Sequence, residues 1–395
     1  MFPQKLLWFL FAVVLLTATL EFVSGQGCGS ISIRREIRQL SVSERNEFFD
    51  ALKTLHASSQ SVSAYDALSQ IHSNYAGEVH SGSAFFPWHR QYLRELEKKL
   101  QRINPRVVLP YWDWTIDSQS PHQSEIFNEN YLGGDGGNGG CITNGPFAGW
   151  RMRYPKPHCL SRKFNRQGKI GSFYSSDVIS RIASKSRTYA DFRSQLESPI
   201  HGVVHMGIGG DMTVMTSPND PLFWLHHAFV DKIWADWQAT EQSRSREYNG
   251  KRTNGGNALP TDVMNPFNVT VSAVLDTSSP GLCYRYSNSP RTTRNNRRAI
   301  PNFNPAETLM KGAEALKLHI PEKLDPNWVQ LNGGNLEETR SKERQLEGII
   351  QELNLLEDYI SPNALARRLE TLTKLVRGTL GSLFTEISDS RISNF

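Results

Sequence analysis

Six of the 11 histidines in this 395-residue chain fall into two triplets, His72, His80, His89 and His201, His205, His227. They stand in YDALSQIHSNYAGEVHSGSAFFPWHRQYLRELE (65–97) and SPIHGVVHMGIGGDMTVMTSPNDPLFWLHHAFVDKIWADWQ (198–238), with no cysteine and few carboxylates placed to share the ligation. Imidazole suits copper, zinc, iron and nickel, so histidine content alone does not name the metal. A catalytic zinc site wants three protein ligands and a water on one ion, often with a carboxylate base, and the HExxH pattern is absent. Three imidazoles per metal, twice, is the ligand chemistry of a paired copper site.

Such a site needs rigid elements to aim the rings, and the pattern supplies helices. SVSERNEFFDALKTLHA opens with a capping box, Ser41 to Glu44, and puts Phe48, Leu52 and Leu55 on one face. A helix predicted over 63–72 delivers His72 near its end, and the connection 73–84 supplies His80 from a loop. Pro87 starts the next helix, where its missing N–H costs little, and His89, Leu93, Leu96 and Leu100 share a face until Asn104 and Pro105 stop it. In HGVVH the four-residue separation stacks His201 over His205 on one helical face. Asp220 and Pro221 form an N-cap and first turn for a helix that carries Phe223, His227, Val230 and Trp234 on one side. His226, about 100° around the helix from His227, is expected to face away from the same metal. A ligating imidazole usually gives its other N–H to a carboxylate or carbonyl, and Asp231, one turn after His227, is the candidate acceptor. His122, His158 and His319 read as surface or loop histidines.

SAFFPWHR, LPYWDWT (109–115), CITNGPFAGW, PHCLSR (157–162), GIGGDM and SPNDPLFWLHHAFVDKIWADWQ resemble the tyrosinase family of type-3 copper proteins, its invertebrate members above all, over about residues 40–290. The resemblance implies two antiparallel helix pairs holding two copper ions that bind dioxygen as a side-on bridging peroxide, and oxidation of phenols or catechols to ortho-quinones. It favours His72 over His56 as the first ligand, because YDALSQIH is similar to the family's first ligand helix, while His56 reads as a helix C-terminal histidine favoured by the macrodipole. Phe85 and Phe223 match family aromatics that pack on ligand imidazoles across the site. Many relatives carry Asn directly after the first ligand of the second copper, where Asn and an upstream Glu hold a water that deprotonates a phenol. Here Glu197 matches the Glu, but Gly202 replaces the Asn, which weakens the case for monophenol hydroxylation and raises catechol oxidation. Glu78 stands where some relatives place a cysteine that crosslinks to the middle ligand of the first copper, so no thioether forms. A haemocyanin-like dioxygen-binding protein without strong catalysis is the alternative.

Residues 1–25 read as a secretory signal peptide, with Lys5, the apolar run LLWFLFAVVLLTATL and a small residue before the cut, so the mature chain is expected outside the cell or in a secretory vesicle with no membrane attachment. Cys28, Cys141, Cys159 and Cys283 can pair in three ways, and the pairing taken is Cys141 with Cys159 and Cys28 with Cys283, which ties down a loop and a chain end. Asn268 heads a glycosylation acceptor. The formal charge of +5 is modest and the basic residues are spread out except for RTTRNNRR (291–298), which gives no nucleic-acid footprint. The expected fold is mainly α: an antiparallel four-helix core holding the dicopper site, long loops, few short strands, and a helical C-terminal extension. The expected divisions are a signal peptide (1–25), a catalytic domain (26–290), a basic linker or processing site (291–300) and the extension (301–395). In the extension Leu346, Ile349, Ile350, Leu353 and Leu356 form an apolar stripe, and Ser361 and Pro362 open a further helical stretch to about residue 383. These helices are expected to dock on the core or to self-associate, or, because relatives carry C-terminal shielding segments, to act as a lid released by cleavage in 291–298.

Overall fold

The computed structural model describes residues 27–57, 62–289, 317–356, 359 and 361. The expected signal peptide, the Arg-rich run 291–298 and the stretch expected to be helical after Ser361 lie outside the described residues.

Helices carry the core, as the apolar spacing requires. Helix α1 (Val42–His56) starts with the reciprocal Ser41–Glu44 capping box and buries Phe48, Leu52 and Leu55. Helix α2 (Asp66–Val79) runs two turns beyond His72, so His80 is its C-cap rather than a loop residue. The segment 73–79 contains no proline and buries Ala76 and Val79, which outweighs the roughly 1 kcal/mol helix penalty of Gly77. Five residues later the chain returns as α3 (Phe85–Ile103), which begins two residues before Pro87 and ends at Asn104. Pro87 still lies in the first turn, where no intrahelical N–H bond is lost.

Helices α4 (Ser176–Lys185) and α5 (Tyr189–Gln195) lead through a π-helical turn, Leu196–His201, into α6 (Gly202–Ile208). Helix α7 (Pro221–Ala239) is capped by the Asp220 carboxylate, which accepts the Leu222 N–H, and is buried along nearly all its length. An all-round apolar helix of this kind belongs in the middle of a core. Two helices of the extension follow, α8 (Pro326–Leu331) and α9 (Leu336–Asn354). Leu346, Ile349, Ile350 and Leu353 bury the stripe of α9, but Leu356 lies past the helix end and is 51% exposed. The extension therefore docks on the core.

The strands of the described residues are two or three residues long and pair two by two. Ser32–Arg34 runs parallel to Tyr284–Tyr286, and the Cys28–Cys283 disulfide fastens the same two ends. Cys141 pairs with Cys159 beside the hairpin of Arg151–Met152 and His158–Cys159.

Buried ion pairs fix how the helices cross. Arg90 on α3 donates to Asp231 on α7 at 2.6 Å and to the carbonyls of Val274 and Leu275. Arg162, fully buried, grips both oxygens of Asp220 at 2.6 and 2.7 Å and so anchors the start of α7. Removing one partner of such a pair would strand a charge at a cost of about 3–5 kcal/mol.

Candidate metal centre

Helices α2 and α3 bring His72, His80 and His89 together, with one ring nitrogen of each within 4.8 Å of the others. His72, from the middle of α2, is in this group and His56 is not. His56 sits against Trp150, 3.8 Å from Asp66. The π-helical turn, α6 and α7 bring together His201, His205, His226 and His227 in the same way. The Nε2 atoms of His72 and His89 are 3.4 Å apart, those of His201 and His227 3.2 Å, and those of His205 and His227 3.4 Å. The two groups abut, because the His89 and His227 rings stack 4.4 Å apart and 12° from parallel.

The other side of each ring explains why the Nε2 atoms converge. Nδ1 of His72 bonds the carbonyl of Met215, His80 that of Ala76, His89 that of Phe85, His201 that of Glu197 and His205 that of Met212, at 2.7–3.1 Å. A carbonyl can only accept, so Nδ1 carries the proton and Nε2 keeps its lone pair for a metal. The tautomer, which spacing leaves open, is set in five rings by the backbone.

His227 is the exception. Its Nδ1 is buried without a partner, and Asp231 does not reach it. The Asp231 carboxylate accepts instead from Arg90, Tyr284 and Tyr286. The expected role of Asp231 is thereby corrected: it clamps α3 to α7 and to the strand 284–286, and acts on the site only by holding the helices that carry His89 and His227. His226 is corrected too, since its ring lies among the second group. Adjacent helical positions diverge by about 100°, yet the His226 ring stands 4.9 Å from His205 and 5.1 Å from His227, with one nitrogen within 4.8 Å of a ring nitrogen of each.

Phe85 meets His89 at 4.7 Å and His201 edge-on at 5.1 Å, and Phe223 meets His227 at 4.1 Å and His72 edge-on at 5.1 Å. Each phenylalanine thus packs against an imidazole of both groups. Burial, with smaller contributions from neighbouring imidazoles, holds the pKa of His72, His89, His201 and His227 well below the ordinary histidine value and that of His205 at about 4. Neutral rings are the form that ligates.

Glu197 is buried between the groups: it accepts the N–H of Ser81, next to His80, and pairs with Arg193 at 2.6 Å. Gly202 faces the extension. A Cβ built there would lie 2.7 and 2.8 Å from two ring carbons of Trp328 and 2.9 Å from Leu324. The Trp328 ring sits 6.2 Å from the rings of both His201 and His205, and Asn332 accepts the Ser81 hydroxyl through its carbonyl. None of the six triplet histidines is more than 4% exposed. Sequence patterning does not single out Trp328, because α8 has only six residues, too few for an apolar period to register.

The common central domain of tyrosinase matches residues 62–240, which contain both histidine groups. A tyrosinase of Aspergillus flavus, ustQ, is 34% identical over 315 residues, spanning 69% of this chain and 87% of the relative. The chain belongs to the tyrosinase family. The tyrosinase of Streptomyces antibioticus is 32% identical over 271 residues, 62% of this chain and 96% of that protein. Among solved structures, a polyphenol oxidase variant from Thermothelomyces thermophila shares the fold with a TM-score of 0.56 at 24% identity, over 65% of this chain and 89% of that one. As a tyrosinase-family member the chain is a type-3 copper protein of the phenol-oxidising class. The donor set fits that metal pair: soft-to-borderline nitrogen ligands only, neutral, backbone-oriented and arranged as two adjoining groups.

Proposed function

We propose that the chain is a secreted copper-dependent phenol oxidase that converts ortho-diphenols to ortho-quinones with dioxygen. His72, His80 and His89 would hold one copper and His201, His205 and His227 the other. The observation that carries this reading is the convergence of ring nitrogens in two adjoining groups whose opposite sides are anchored on main-chain carbonyls. When bound, the copper pair supplies dioxygen activation and takes up the electrons of the diphenol. The protein keeps the imidazoles neutral, aims them through the backbone, and excludes water with Phe85 and Phe223.

The preference for diphenols over monophenols rests on Gly202 and Glu197. The residue after His201 has no side chain to hold a water, and the Glu197 carboxylate is already engaged by Ser81 and Arg193. Export is supported by the leader-like residues 1–25, by two disulfides and by Asn268, an exposed turn residue suited to a glycan. Among the described residues no helix is long and apolar enough to cross a membrane. The extension reads as a lid, with Trp328 over His201 and His205 and the basic run 291–298 as the place of release.

The test is to load the mature chain, clipped in 291–298, with copper and to compare oxidation of tyrosine with that of L-DOPA. Two coppers per chain with diphenol turnover alone is the expected result. Reversible oxygen binding without turnover would favour a carrier, and fewer than two coppers would overturn the assignment.

A further inference from the structure

Building on the dicopper reading, we infer that His226 is a fourth nitrogen donor of the second histidine group, able to take over when His227 is lost. Its imidazole is fully buried, and neither ring nitrogen has a hydrogen-bond partner. A buried polar atom left unmade costs free energy, and native interiors carry few of them. One of its nitrogens lies within 4.8 Å of a ring nitrogen of each of His201, His205 and His227. The ring stacks 5.1 Å from His201, 16° from parallel, and stands 4.9 Å from His205 and 5.1 Å from His227.

Packing alone does not call for an imidazole there. The neighbours Leu225, Ala228 and Phe229 on the same helix fill their places with hydrocarbon, and Trp114 on the far side of the ring is aromatic. A phenylalanine would fill that space without stranding two polar atoms. The pattern around His227 points the same way. His227 is the triplet member whose Nδ1 finds no acceptor, so its orientation is the least constrained by hydrogen bonding, and His226 is its chain neighbour. The second group thus holds four donors where three suffice, and the spare one sits beside the least anchored.

The experiment uses the full-length chain stripped with a chelator and reloaded with copper ions, reading copper per chain and the rate of copper transfer to a competing chelator. The first group, whose three histidines are unchanged in every variant, serves as an internal control. Wild type should hold two coppers. His227→Ala should still hold two, with His226 in place of the missing ring, and His226→Phe/His227→Ala should hold one. His226→Phe alone should hold two but give up one of them faster, on the order of ten- to a hundred-fold, the range typical of weakened support at a metal site.

A single copper in His227→Ala would overturn the inference, and so would two in the double variant. If either of these variants holds no copper and has failed to fold, the transfer rate of His226→Phe decides, and a wild-type rate overturns the inference. A wild-type chain that holds fewer than two coppers would instead overturn the dicopper reading itself. A wild type with two coppers leaves that reading standing whichever way the His226 variants fall.

Discussion

Gly202→Ala tests the lid with the smallest perturbation available. The added Cβ would sit 2.7–2.9 Å from two atoms of Trp328 and one of Leu324, well inside ordinary van der Waals contact. Overpacking of this kind costs about 1–3 kcal/mol. Gly202 itself is helical, a position where alanine is favoured by about 1 kcal/mol, so the strain falls on the docked extension and not on α6. A destabilisation of about 1–3 kcal/mol multiplies the open population roughly 5- to 150-fold. The assay is the initial rate of catechol oxidation by the copper-loaded intact chain, run beside the same chain cut within 291–298. The intact variant should outpace intact wild type by a factor in that range, with the cut enzyme as the ceiling, and the two cut forms should agree. If intact Gly202→Ala is no faster than intact wild type while both cut forms are active, Trp328 does not gate the site.

Three further outcomes follow from the same geometry. His72→Ala should drop copper content to about one ion per chain, whereas His56→Ala should keep two, and the reverse pattern would show that the first ligand was misassigned. Asp231→Asn leaves Arg90 buried without its counter-charge and should lower the stability of the metal-free chain by about 3–5 kcal/mol in urea titration. Lowered copper affinity at unchanged stability would instead restore Asp231 as a partner of His227. The metal-free chain should also lose stability in mild acid. Burial depresses the pKa of His72, His89, His201, His226 and His227 in the fold, so below the ordinary value of 6.5 the unfolded chain binds more protons. The stabilisation is full above that value and fades as pH falls beneath it, by about 1.4 kcal/mol per pH unit for each ring that stays neutral. A melting temperature that is flat from about pH 7.5 to about pH 5.5 would contradict this linkage.

The six triplet histidines were legible because helical spacing and their flanking strings both mark them, and the capping residues Ser41 and Asp220 fall where the pattern puts them. Contacts between elements far apart in the chain leave no mark within a single helix. Asp231 stands one turn from His227, but its carboxylate is claimed by Arg90, 141 positions earlier in the chain, and by two tyrosines from a distant strand. The angle between adjacent helical positions turns His226 from His227, but the π-helical turn brings the His201 ring against its face. Gly202 was read as a missing part of a proton-transfer pair, and the structure adds a steric reason for it, the Trp328 ring that a side chain would displace. That ring comes from beyond residue 317, so no local pattern around His201 could announce it.

The carbonyls that orient five of the six imidazoles belong to residues 76, 85, 197, 212 and 215 as backbone, whatever side chains those positions bear. Substitution at an acceptor position cannot delete the acceptor, so the tautomers of the site are insulated from mutation as long as the helices and turns hold. Glu197 shows the separation within one residue: its carbonyl serves His201 while its carboxylate accepts from Ser81 and Arg193, so a change of side chain leaves the acceptor of the histidine four residues on in place.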